Sequence, residues 1–177
     1  MSPLSPQADS PQAETRAQLR LVSAPSGVGK STWLVERYPQ ASLVSMDEIR
    51  GELTGDVNDQ SRNQEVFELA FERLKGLLER GAEVAWDATS LRLAHRQSLY
   101  ELAAKYKAFV SVDVLFAPLE LALERNQQRD RQVPKHVIEA QYKGWEPPLP
   151  SEADEVRYWR AHEQEGWSPS EPPEPES

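Results

Sequence analysis

The stretch LVSAPSGVGKSTW, Leu21 to Trp33, constrains this chain more than any other. An apolar run feeds a glycine-rich turn, and the turn ends in a lysine, a hydroxyl and a helix-forming segment. Gly27 and Gly29 permit a tight turn that aims backbone N–H groups inward. The start of the following helix adds favourable potential for an anion. The Walker A pattern is G-x-x-x-x-G-K-[ST]; APSGVGKS fits it, except that Ala24 stands where the first glycine is expected. Ala24 suits the position if its φ is negative. The pattern makes Ser26, Gly27, Val28, Gly29, Lys30, Ser31 and Thr32 the phosphate-binding residues. Lys30 is placed to reach the β and γ phosphates and Ser31 to ligate Mg²⁺, so ATP or another NTP is the expected cofactor. A plain glycine turn would explain the glycines, but not the lysine and hydroxyl at the required positions.

Beyond the turn, strand and helix patterns alternate. LRLVSA (19–24), ASLVSMD (41–47), AEVAWDATS (82–90) and FVSVDVLFA (109–117) read as strands. STWLVERY (31–38), VFELAFERLKGLLERG (66–81), RLAHRQSLYELAAKYK (92–107), LELALERNQQR (119–129) and PKHVIEAQYKGW (134–145) read as helices, with EIRGEL one short helical turn. That alternation predicts an α/β fold: a P-loop NTPase-type parallel sheet covered by helices on both faces. Residues 1–17, rich in Pro, Ser and Gln, read as a flexible lead-in. The kinase-like body is expected over 18–145, a partly docked segment over 146–167, and a disordered acidic tail over 168–177.

Charge divides the chain in the same way. The formal charge is -9, and from Glu146 onward nine acids face only Arg157 and Arg160. The body is near neutral, which argues against a broad nucleic-acid footprint but leaves room for a small basic site. The acidic tail is a candidate contact for a protein partner. The 177 residues contain no cysteine, which removes disulfides and thiolate metal sites and fits a reducing, cytoplasmic setting. The start carries no secretory pattern, and no stretch has the length to cross a membrane. His95, His136 and His162 lack metal-ligand spacing.

Ligands gather at the carboxyl edge of an open parallel sheet, and two acids stand at predicted strand ends. Asp47 could accept the proton of an attacking hydroxyl. Arg50, three residues on, would share its side of a helical turn and hold an anionic group. The bland alternative makes Asp47 an N-cap and Arg50 a solvated partner of a neighbouring glutamate. Asp87 has two candidate roles, holding Mg²⁺ through water or orienting an acceptor, beside a structural capping role. Thr89 and Ser90 look like caps for the next helix, on which Arg92 and Arg96 share a face. ERNQQRDRQVPKH gathers Arg125, Arg129, Arg131, Lys135 and His136 in an otherwise acidic chain. Arg125 and Arg129 face the same way if their helix continues, and the segment before Pro134 reads as a lid.

Four features together resemble the polynucleotide 5′-hydroxyl kinases of the phage and bacterial end-healing type: GVGKSTW, the acid–x–x–Arg of MDEIR, the WDATS strand end, and ERNQQR followed by VP and a helix. The likeness covers about residues 19–145. It implies transfer of the γ-phosphate of ATP to the 5′-OH end of DNA or RNA. It further implies Lys30 and Ser31 serving ATP and Mg²⁺, Asp47 as general base and Arg50 gripping the phosphate next to the acceptor nucleoside. Asp87 is then assigned to the acceptor, Arg129 to the transferring phosphate, and Arg125 to a supporting contact; Arg96, with Arg92 on its helix face beside the phosphate site, could also meet substrate. Two other classes remain open: a small-molecule kinase on the same scaffold, with a nucleoside, sugar or antibiotic hydroxyl as acceptor, and a nucleotide-gated binding protein without acceptor chemistry.

Overall fold

The computed structural model describes residues 15–164 and 166–174. Its strands are β1 (Gln18–Ser23), β2 (Ser42–Ser45), β3 (Glu83–Asp87), β4 (Phe109–Phe116), β5 (Glu155–Ala161) and β6 (Trp167–Ser170). Its helices are α1 (Lys30–Arg37), α2 (Met46–Thr54), α3 (Asn63–Glu79), α4 (Leu93–Lys105), α5 (Leu119–Gln127) and α6 (Lys135–Lys143). They build one sheet in the order β2-β3-β1-β4-β5-β6. The first five strands are parallel, and β6 returns antiparallel to β5.

The central strands are apolar along their whole length because both faces are covered. Leu19, Leu21, Val84, Trp86, Val112 and Val114 pack against Val66, Ala70, Leu74 and Leu78 of α3 and Leu99, Leu102 and Ala103 of α4. On the opposite face Val22, Ala85 and Leu115 meet Trp33 and Leu34 of α1 and Ala122 of α5. The α/β fold with helices on both faces is therefore as expected. Among the described residues no helix is long and apolar enough to cross a membrane.

The structure corrects the boundaries of the body. Residues 1–14 of the expected lead-in lie outside the described residues, but residues 16 and 17 are docked. Ala17 is buried, its carbonyl accepts from the Phe109 N–H (2.8 Å), and Arg16 Nε donates to Lys107 O (2.7 Å). At the other end the sheet runs on to Ser170 rather than stopping near Trp145. The cause is a carboxylate. Asp113 sits inside β4 with no exposed surface, and an unpaired buried charge is prohibitive. Trp159 Nε1 (2.9 Å) and Arg157 Nε (3.1 Å) of β5 donate to its Oδ1, and Tyr38 Oη donates to Oδ2 (2.6 Å). Trp167 of β6 then stands edge-on to Trp33, with centroids 5.5 Å apart. Pro169 on this outer strand limits further pairing along the edge. Of the expected acidic tail, only 171–174 are described beyond β6, and 175–177 lie outside the described residues.

Arg96 is also corrected. It is 1% exposed, its Nε bonded to Glu152 Oε1 and its Nη1 to Ser90 O (2.9 Å), while Tyr100 Oη also donates to Glu152 (2.7 Å). It cannot meet substrate; it fastens the segment before β5 to α4. Burial works to raise the Glu152 pKa, but the hydrogen bonds from Arg96 and Tyr100 and the Arg96 charge outweigh it and hold the carboxyl below its usual value. Glu152→Ala would strand a buried guanidinium, with an expected loss of about 3–5 kcal/mol in denaturant unfolding. A depressed folded pKa means the contribution is full at neutral pH and is lost as pH falls through that lowered value. The wild-type advantage over Glu152→Ala should shrink in acid.

Candidate active site

The phosphate loop joins β1 to α1 with the backbone the sequence requires. Gly27 (φ 84°) and Gly29 (φ 111°) are left-handed, and Ala24 is not among the residues with positive φ, so it fits the first loop position. The Ala24 N–H donates to Thr89 O (3.1 Å), which ties the loop to the turn after β3. Gly27 is also forced by contact: a Cβ there would lie 2.4 Å from Ala122 O of α5. Gly27→Ala must part the loop from α5, and a loss of about 1–3 kcal/mol is expected in thermal unfolding, with weaker ATP binding. Val28 is buried, and its carbonyl accepts from Arg125 Nη1 (2.9 Å). Arg125 thus braces the loop from α5, and its guanidinium also lies 5.8 Å from the Trp167 ring.

Lys30 and Ser31 open α1. Lys30 Nζ donates back to Pro25 O (3.1 Å). Burial drives its pKa down to about 8, with Asp87 and Asp47 opposing and Arg129 assisting. All three charges thus act on Lys30. Ser31 Oγ donates to Asp87 Oδ2 (2.7 Å) from the neighbouring strand. Burial raises the Asp87 pKa against this hydrogen bond and the Lys30 charge. A hydroxyl beside a carboxylate is an oxygen donor set that fits Mg²⁺, which takes few protein ligands and keeps several waters. Among the described residues no group of three or more His, Cys, Asp or Glu could hold a metal. Thr32, exposed on the first turn of α1, and the Ser26 N–H complete the loop residues; the latter donates to Gln141 Oε1 of α6 (2.8 Å).

Asp47 is not at a strand end. β2 stops at Ser45, whose Oγ caps α2 by accepting from the Glu48 N–H (3.3 Å), and Asp47 lies in the first turn. The capping role considered for Asp47 is thus filled by Ser45. Arg50 is 8% exposed, so it is not a solvated partner. Its Nη1 donates to Asp47 Oδ1 (2.7 Å) and its Nε to Asn63 Oδ1 (3.1 Å). Asp47 itself is half-exposed.

Two expectations about neighbouring residues fail. α5 ends at Gln127, so Arg125 and Arg129 do not share a helical face. Arg129 belongs instead to the exposed segment that follows, where its charge acts on Lys30 and Asp87. Thr89 and Ser90 do not cap α4; the Leu93 N–H donates to Glu146 Oε2 (2.8 Å). Arg92 stays exposed and lines a cleft of about 320 Å³ with Leu91, His136, Val137, Ala140 and Gln141. Of the two arginines the sequence offered to substrate, the structure buries Arg96 and leaves Arg92 exposed. It also adds Asn126, Arg131 and Gln141. Only Arg131 carried a signal, as part of the arginine cluster.

A lysine-bearing phosphate loop at the carboxyl end of β1, a hydroxyl–carboxylate pair from α1 and β3, and arginines from α5 and the segment that follows it define a kinase-like P-loop domain. Residues 21–148 match the model of an AAA domain family, and the chain belongs to that family. No curated protein matches it with significance. Solved structures agree in fold. A gluconokinase from Sinorhizobium meliloti 1021 superposes with TM-score 0.56 at 17% identity, covering 82% of this chain and 83% of that chain. Chaetomium thermophilum Kti12 in complex with ADP-AlF3 gives TM-score 0.60 at 20% identity, covering 79% and 87%. A chain of the Pnkp1/Rnl/Hen1 RNA repair complex gives TM-score 0.64 at 21% identity. There the match covers 78% of this chain but only 50% of that chain.

Proposed function

We propose that the protein transfers the γ-phosphate of ATP to the 5′-hydroxyl end of a DNA or RNA strand. The observation that carries this reading is the pair Asp47–Arg50, whose carboxylate charge acts on Lys30 and Asp87. A buried guanidinium, pinned by Asn63 and bonded to the candidate base, is preorganised for an anion one group away from the reacting hydroxyl. A 5′-terminal nucleotide within a strand has that anion, its 3′-phosphodiester; a free nucleoside does not. The fold likeness to a chain of an RNA repair complex supports the same choice.

The chemistry is an in-line displacement. The acceptor oxygen forms a bond to the γ-phosphorus as the bond to the β–γ bridging oxygen breaks. The hydroxyl proton passes to the Asp47 carboxylate, and ADP leaves. Lys30 and Arg129 meet the negative charge of the phosphates, and the loop N–H groups hold them in place. Mg²⁺ held by Ser31 directly and Asp87 through water would neutralise phosphate charge.

A second reading has one observation in its favour. Arg131 also reaches Asp47, from across the acceptor side, at 3.3 Å. A site narrowed in this way suits a small hydroxyl acceptor. The deciding experiment is transfer of label from γ-labelled ATP to 5′-OH DNA and RNA oligonucleotides, 5′-phosphorylated controls, and a panel of nucleosides, sugars and sugar acids. Label on 5′-OH strands alone is expected. Label confined to the small acceptors would overturn the strand-end reading, and ATP binding without transfer to any acceptor would favour a binding protein.

A further inference from the structure

Arg131, in the segment between α5 and α6, reaches across the site. That segment leaves α5 and returns at Val133. Its two ends are tied by Asn126, 5% exposed, whose Nδ2 donates to Val133 O (2.8 Å) and whose Oδ1 accepts from the Val133 N–H (2.9 Å). From the middle of the segment Arg131 reaches the turn between α2 and α3. Its Nε donates to Asn58 Oδ1 (2.9 Å) and its Nη2 to Val57 O (2.9 Å), while Nη1 stands 3.3 Å from Asp47 Oδ2. One guanidinium thus makes two contacts with the α2–α3 turn and one with α2 through three nitrogens, which is the planar fork that lysine cannot supply.

The effect on Asp47 is specific. Arg50 takes Oδ1 and Arg131 takes Oδ2, so the carboxylate plane is fixed from both sides. Each oxygen keeps a lone pair, so proton acceptance remains open. The two arginines are not equivalent. Arg50 is buried on a helix and held by Asn63, whereas the Arg131 side chain is 28% exposed and arises from a loop. If one contact yields to an incoming acceptor, it is that of Arg131.

We infer that Arg131 is a positioning residue: docked on the Val57–Asn58 turn, it aims the Asp47 carboxylate and holds residues 128–134 over the acceptor hydroxyl, and its release opens the way to Asp47. The inference rests on Asp47 being the proton acceptor of the proposed reaction. It requires the lid segment and the α2–α3 turn to open together, and acceptor turnover to depend on Arg131 while ATP binding does not.

The test compares wild type with Arg131→Gln, Arg131→Lys and Asn58→Ala, the last of which removes one contact and leaves the arginine in place. Hydrogen exchange is followed over 54–62 and 128–134, and kcat and KM are measured for ATP and for the best acceptor of the labelled panel. Arg131→Gln should speed exchange in both segments and lower kcat about 100-fold, the scale of a misaimed reacting group, with the KM for ATP within about twofold. Arg131→Lys should recover part of kcat, and Asn58→Ala should raise exchange with a smaller loss of turnover. Wild-type kcat in Arg131→Gln would overturn the inference, as would faster exchange in one segment only. Wild-type protein that phosphorylates nothing would remove the Asp47 assignment and the positioning role with it. Transfer by wild type that is indifferent to Arg131 would remove the positioning role alone.

Discussion

Lys30→Ala is expected to lose ATP binding by about 100-fold or more and to leave no measurable transfer, while the nucleotide-free protein stays folded. The Lys30 ammonium is half-buried at the loop and donates to Pro25 O, with its pKa driven down to about 8 by burial. A charged group disfavoured by its surroundings is there for a ligand rather than for stability. A lysine whose folded pKa is lowered destabilises the free protein wherever it remains charged, and that cost fades as pH rises past about 8. Lys30→Ala should therefore unfold at least as late as wild type at neutral pH, apart from the packing of the removed stem. Phosphates bound beside Nζ restore the ammonium, so ATP binding near and above pH 8 should take up a proton, and affinity should fall as pH rises. Calorimetry in buffers of different ionisation enthalpy measures that uptake. Uptake persisting in Lys30→Ala would place the titrating group elsewhere.

Asp47→Asn is expected to slow transfer by about a thousandfold, within the range of general-base losses, with ATP affinity nearly unchanged. Asparagine keeps the shape of the side chain and can still accept through its oxygen from Arg50, but it cannot take a proton at neutral pH. Single-turnover transfer beside equilibrium ATP binding separates the two effects. Near-wild-type transfer would shift the base role to Asp87, the other carboxylate near Lys30. That alternative has a handicap, since the Ser31–Asp87 pair is the donor set that fits Mg²⁺.

The phosphate loop could be read directly because its chemistry is local. Lys30 and Ser31 follow Gly29 in the chain, and the backbone that aims them is set by two glycines a few residues away. The alternation of apolar runs with helical spacing likewise determined the α/β class, since strand and helix periods are properties of short windows. Asp47 and Arg50 were readable as a pair because three residues of helix bring them together, even though the sequence placed Asp47 on a strand.

Tertiary structure decided the rest, wherever a residue's role depended on a partner far along the chain. Arg92 and Arg96 are alike by sequence, yet Glu152, 56 residues beyond Arg96, buries it and leaves Arg92 at the cleft. Trp159 and Arg157 looked like part of a loosely docked segment until Asp113 on β4 required donors. Arg131 was one cation in a cluster until the fold set it against Asn58, 73 residues earlier. The sequence by itself determined the α/β class and where phosphate chemistry would gather, because those follow from neighbours in the chain. Which arginines face that chemistry, and which are spent holding the sheet together, was decided by burial and charge pairing between distant segments, and only the folded chain brings those segments together.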